Sequence, residues 1–130
     1  MIRIEHIALW TNDLDRIAEF YGAYFGAAAG ARYINAAKGF ESIFLRFADG
    51  ARLEVMKTTL LEPMKHSPGA QRMGFTHLAV SVGSKQAVDE LTGRLMRDGY
   101  EVVDGPRVTG DGYYESVILD PDGNRVEVTI

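Results

Sequence analysis

Ile4-Glu5-His6-Ile7-Ala8-Leu9-Trp10 returns further along the chain as Phe75-Thr76-His77-Leu78-Ala79-Val80-Ser81, and both stretches read His, apolar, Ala, apolar. A second pair follows in the same order. Asp49-Gly50-Ala51-Arg52-Leu53-Glu54-Val55 and Asp122-Gly123-Asn124-Arg125-Val126-Glu127-Val128 share the pattern Asp-Gly-x-Arg-apolar-Glu-Val. The offset is 71 residues from His6 to His77 and 73 from Glu54 to Glu127, so two separate matches keep nearly one spacing. This is the mark of a tandem duplication. The expected halves are 1–58 and 74–130, joined by a linker at 59–73 that holds Pro63, His66, Ser67, Pro68 and Gly69, and together they form a single domain, 1–130.

Each half reads as β-α-β-β-β. Alternating residues at 3–10 predict a strand, and Asn12 is placed to cap a helix whose apolar positions Leu14, Ile17, Ala18, Tyr21 and Phe25 follow helical spacing up to Gly26. In the second half Ser84 can cap a helix carrying Val88, Leu91 and Leu95, ending at Gly99. Three strands are expected after each helix, at 31–36, 41–48 and 51–58, then at 100–107, 112–119 and 125–130. Asp49-Gly50 and Asp122-Gly123 mark the last turn of each set. The fold class is therefore α+β.

Composition narrows the functions open to such a chain. The 130 residues suffice for one domain, with apolar and charged fractions of 46% and 25%, average for a soluble protein. A formal charge of -4 with dispersed basic residues gives no footprint for nucleic acid. No apolar run nears the roughly 20 residues of a membrane helix, and the opening residues do not resemble a leader, so a cytoplasmic location is expected. There is no cysteine, which excludes disulfides, thiolate metal sites and a Cys nucleophile. A metal would have to be held by Asp, Glu or the three histidines, His6, His66 and His77.

Strand side chains alternate between faces, so position along the strand shows which residues share an environment. Ile7 and Leu9 oppose His6, Ala8 and Trp10, while Leu53 and Val55 oppose Arg52, Glu54 and Met56; the second half repeats this with Leu78 and Val80 against His77, and Val126 and Val128 against Glu127. The apolar face should pack on the helix of its half. His6, Glu54, His77 and Glu127 then form a set of two imidazoles and two carboxylates, suited to one divalent ion of Ni, Zn, Co, Mn or Fe with room for one or two further ligands. Taken singly, a strand His or Glu is most often structural. A structural role does not explain why both recur at equivalent positions.

These residues resemble the vicinal oxygen chelate superfamily, which includes glyoxalase I, bleomycin-resistance proteins and extradiol dioxygenases. The likeness spans almost the whole chain. Its strongest elements are Ile4-Glu5-His6-Ile7-Ala8-Leu9 through Phe20-Tyr21, and Asp120-Pro121-Asp122-Gly123-Asn124-Arg125-Val126-Glu127. The resemblance implies tandem modules forming paired incomplete barrels, a metal held by His6, Glu54, His77 and Glu127, a small-molecule substrate and a homodimer. The His-Glu-His-Glu order looks like the glyoxalase I branch, which implies isomerase or lyase chemistry: proton abstraction beside a carbonyl and stabilisation of the resulting enediolate. By analogy Glu127 is the base and Glu54 a ligand and possible second base. The alternatives are a binding protein of the antibiotic-resistance kind, with or without metal, and an iron-dependent extradiol dioxygenase.

The resemblance stops short of the glutathione contacts. Glutathione-using relatives tend to carry a basic residue where Trp10 stands and an asparagine shortly after the first closing-strand ligand, where this chain has Met56-Lys57-Thr58. Trp10, Phe44 and Met56 point instead to an apolar or aromatic substrate wall, with Tyr113 and Tyr114 as candidate hydroxyl contacts. His66 has no repeat partner and is left outside the site. Gly105 through Gly112 reads as a hairpin loop, and Asp120-Pro121-Asp122-Gly123 lacks the span and closing Glu of a calcium loop.

Overall fold

The computed structural model describes all residues, 1–130, and divides them into two units, Met1–Met64 and Lys65–Ile130. In the first unit, strand β1 (His6–Trp10) leads into helix α1 (Leu14–Phe25), followed by β2 (Ala28–Ala29), β3 (Tyr33–Asn35), a 3-10 turn, β4 (Phe40–Arg46) and β5 (Arg52–Thr58). The sheet order is β1-β5-β4-β2, with β3 also paired to β4. The second unit runs β6 (His77–Ser81), α2 (Lys85–Arg97), β7 (Val102–Val108), β8 (Tyr114–Leu119) and β9 (Arg125–Thr129), in the order β6-β9-β8-β7. Each unit is thus an open sheet with one helix, and the opening strand of each runs parallel to its closing strand.

Register carries the duplication into three dimensions. His6 lies opposite Arg52 and Ala8 opposite Glu54; His77 lies opposite Arg125 and Ala79 opposite Glu127. Each His is therefore a diagonal neighbour of its Glu on one sheet face, a separation long side chains can span.

The other face packs on the helix. Leu14, Ile17, Phe20 and Tyr21 of α1 are buried with Ile43, Leu45, Leu53 and Val55. The buried stripe turns slightly from the one expected, taking Phe20 in place of Ala18 and Phe25. On α2 the stripe is Val88, Thr92 and Leu95 rather than Val88, Leu91 and Leu95. Thr92 is tolerated there because its hydroxyl donates to the Val88 carbonyl (2.6 Å) and pairs with the buried Ser116 hydroxyl (2.7 Å).

Several boundaries differ from those expected. The cap of α1 is Asp13, whose side chain accepts from the Arg16 amide, and not Asn12; Thr11 and Asp13 fold the chain so that Asp13 occupies the extended position at the helix start. The first strand begins at His6 rather than residue 3. The strand expected at 31–36 is the shorter β3, and a two-residue strand, β2, precedes it where none was expected. Gly105 through Gly112 is not one loop: β7 extends to Val108, and register shifts against β8 absorb Gly105 and Pro106. Part of the expected linker belongs to the second unit, where the Gly69 carbonyl accepts from Arg125 and its amide donates to the Gly123 carbonyl. No helix is long and apolar enough to cross a membrane.

Candidate functional site

In the first unit, parallel pairing of β1 with β5 brings His6 Nε2 to 3.5 Å from Glu54 Oε2. In the second, β6 and β9 bring His77 Nε2 to 3.2 Å from Glu127 Oε2. The carboxylates are the more enclosed partners, with side chains 16% and 18% exposed against 39% and 37% for the imidazoles. Within neither unit do three or more His, Asp or Glu side chains converge as a metal cage; each presents a pair.

The pairs fit a metal on distance. Two donors each roughly 2.1 Å from one cation stand about 3.0 Å apart at a right angle and about 3.4 Å apart at the tetrahedral angle. The observed 3.2 Å lies within that range and 3.5 Å just beyond it; 3.2 Å is also within reach of a hydrogen bond, whereas 3.5 Å is long for one.

The two faces around these pairs differ. Phe44, opposite Glu54 on β4, meets the His6 ring edge-on with centroids 5.4 Å apart, and the Arg52 guanidinium lies 4.0 Å from the Phe44 centroid. Trp10 is 47% exposed and packs edge-on against Phe40, while Met56 lies opposite both Trp10 and Ser42. Trp10, Phe44 and Met56 thus gather on the His6–Glu54 face. In the second unit Val117 stands opposite Glu127, and Glu115 one pleat further along β8 lies on the same face.

The tyrosines do not join these residues equally. Tyr113 is 57% exposed in the β7–β8 turn. Tyr114 donates its hydroxyl to Asp89 of α2, with the Lys85 ammonium 4.9 Å from its ring centroid, so it is engaged on the helix side of its sheet. The bond to Asp89 pushes the Tyr114 phenol up from its usual range. His66 stands apart, with Nδ1 3.1 Å from the Ser67 carbonyl.

Two further residues belong to the local chemistry. Glu5 bonds His6 Nδ1 through Oε2 at 2.5 Å and Arg52 through Oε1, and the His6 bond, with Arg52 adding to it, holds the Glu5 carboxyl below its usual range despite some desolvation. Glu115 is pushed up to about 7, first by burial, then by its hydrogen bond to Glu127 and by the charges of Glu127 and Asp111, against an opposing effect of His77. Sequence position offered a signal for Glu5, which adjoins the repeated His, whereas Glu115 emerges only from the register that sets Val117, two residues away, opposite Glu127.

The family model described as glyoxalase/bleomycin resistance protein/dioxygenase superfamily matches residues 3–128. The uncharacterised protein YqjT of Bacillus subtilis strain 168 is 31% identical over 128 residues, 96% of each chain. Among solved structures, a possible glyoxalase from Bacillus cereus aligns over the whole of both chains with a TM-score of 0.72 and 25% identity. The trypanothione-dependent glyoxalase I of Leishmania major gives a TM-score of 0.78 over 99% of this chain and 86% of its own, at 20% identity, a likeness of fold. With a strand–helix–sheet plan shared by both units and a family match across nearly its whole length, this chain belongs to the glyoxalase/bleomycin resistance protein/dioxygenase superfamily.

Proposed function

We propose that the protein is a metal-dependent isomerase or lyase of the glyoxalase I type, with His6, Glu54, His77 and Glu127 as ligands of one divalent ion from among Ni, Zn, Co, Mn and Fe. The observation that carries this reading is the repeated His–Glu pair, with Nε2 to Oε2 distances of 3.5 and 3.2 Å at equivalent register positions. When bound, the ion would polarise a substrate oxygen and lower the barrier to removing the proton on the adjacent carbon.

The remaining chemistry falls to the chain. The Glu127 carboxylate accepts the proton from the substrate carbon and returns it to the neighbouring carbon. Glu115, hydrogen-bonded to Glu127, limits the orientations open to that carboxylate. Glu54 serves as ligand and as a second base for the opposite substrate face. Trp10, Phe44 and Met56 shield the reacting atoms and favour a small oxygen-chelating substrate with an apolar or aromatic substituent, and Tyr113 is free to add a hydroxyl contact. Residues 1–130 act as one functional domain, working as a homodimer.

The test is metal analysis of protein purified without chelator, together with a screen of α-oxygenated carbonyl substrates in deuterated water, with and without glutathione. Bound divalent metal and solvent deuterium entering the product, with incorporation lost in Glu127→Gln, are expected. A wild-type protein that neither retains nor binds a divalent metal would overturn the reading.

A further inference from the structure

Arg52 and Arg125 occupy equivalent register positions, opposite His6 and His77. Their partners differ. Arg125 donates to the Gly69 carbonyl, whereas Arg52 donates through Nη2 to Glu5 Oε1 and through its backbone amide to the Glu5 carbonyl at 3.1 Å. The other carboxylate oxygen of Glu5 takes His6 Nδ1 at 2.5 Å. Thr76 stands where the second half would need the same carboxylate.

We propose that Glu5, held by Arg52, is a positioning residue that fixes His6 in the tautomer with its proton on Nδ1, so that Nε2 offers its lone pair to a metal. A carboxylate can only accept, so the ring nitrogen facing it carries the hydrogen. The opposite nitrogen then points its lone pair at Glu54 Oε2, and both groups across the 3.5 Å gap are electron-pair donors. A cation between them satisfies both. Phe44 completes the restraint: its ring abuts the imidazole edge-on while its face receives Arg52, so rotation of His6 would disturb the aromatic contact as well as the Glu5 bond. A carboxylate behind a ligating imidazole also raises its donor strength, and loss of such a partner commonly weakens metal affinity about 10- to 100-fold. Thr76 precedes His77 where Glu5 precedes His6, so this carboxylate belongs to the first half alone.

This inference rests on the proposed metal-binding reading, and its test separates the two. Imidazole nitrogen shifts of the full metal-free chain, read by long-range proton–nitrogen correlation, should show His6 with its proton on Nδ1 in the wild type. Glu5→Ala should convert His6 to a mixture dominated by the other tautomer, while Glu5→Gln, whose amide oxygen can still accept, should keep the wild-type pattern. Titration with Ni²⁺ alone should show about a tenfold or greater loss of affinity in Glu5→Ala and a smaller loss in Glu5→Gln, with Thr76→Ala within twofold of wild type. Wild-type His6 protonated on Nε2, or a tautomer pattern indifferent to Glu5→Ala, overturns the positioning role whether or not metal binds. Failure of the wild type to bind any divalent metal overturns the metal reading while leaving the tautomer result to stand on its own measurement.

Discussion

The Glu115 carboxyl is hydrogen-bonded to the Glu127 carboxylate on the next strand, and burial with this bond pushes Glu115 up to about 7. A carboxyl whose folded value lies above its ordinary 4.5 binds its proton more tightly in the folded state, so its contribution to stability is complete below about pH 4.5. It is lost as pH rises through about 7. Because Glu115 is half-buried and screened by solvent, the loss should be on the order of 1 kcal/mol rather than the full value of the shift. In metal-free protein, Glu115→Gln should therefore gain stability relative to wild type between pH 5 and pH 8. Urea midpoints at the two pH values check this, and a difference between the proteins that does not change with pH would count against it.

The buried hydroxyl pair of Thr92 and Ser116 makes a second prediction. Thr92→Val removes one hydroxyl at nearly constant volume and leaves the Ser116 hydroxyl without its partner in a site only 1% exposed, at a cost of roughly 1–3 kcal/mol. Ser116→Ala should cost less, since Thr92 keeps its bond to the Val88 carbonyl. The double variant should be more stable than the sum of the singles implies, because it leaves no orphaned donor. A denaturation cycle over the four proteins measures the coupling.

Much of this was legible in the sequence, because period-two alternation decides which strand residues share a face whatever the exact strand ends. The repeated His and Glu positions, the Ser84 cap and the helix–sheet sidedness all follow from that rule and from helical spacing. What alternation does not contain is register between distant strands. Glu5 bonds Arg52 only because β1 lies beside β5, 47 residues on, and Glu115 meets Glu127 only because β8 lies beside β9. The Asp13 cap and the buried Thr92 escaped for a related reason: each polar side chain is satisfied by a contact that local hydropathy does not weigh.

Gly105 tests the irregular strand beside Glu115. Its φ is +75°, and a Cβ there would fall 2.5 Å from the Glu115 carbonyl oxygen and 3.1 Å from the Ser116 Cα, both backbone atoms that cannot swing away. Gly105→Ala should cost roughly 1–3 kcal/mol from backbone strain alone, before the steric conflict with β8. Gly110→Ala, with no atom within 4 Å of the new Cβ and no positive φ, should be nearly neutral. Thermal melts of the two variants provide the comparison, and equal melting temperatures would refute the β7–β8 geometry.

Histidine replacements separate the proposed ligands from a bystander. His6 and His77 each face a carboxylate at 3.5 and 3.2 Å, while His66 has only the Ser67 carbonyl beside Nδ1. A ligand that binds only the folded state at about 100 times its dissociation constant adds about 2.7 kcal/mol to stability. Added Ni²⁺ or Co²⁺ should therefore raise the melting temperature of the wild type and of His66→Ala alike, and a chelator should reverse the gain in both. His6→Ala and His77→Ala should lose most of that gain while melting near the wild-type temperature in chelator, because both imidazoles are more than a third exposed and add little to the core. If His66→Ala lost the gain and the other two kept it, the ligand assignment would have to be abandoned; equal losses in His6→Ala and His77→Ala would mean that the pairs contribute comparably despite the carboxylate behind His6 alone.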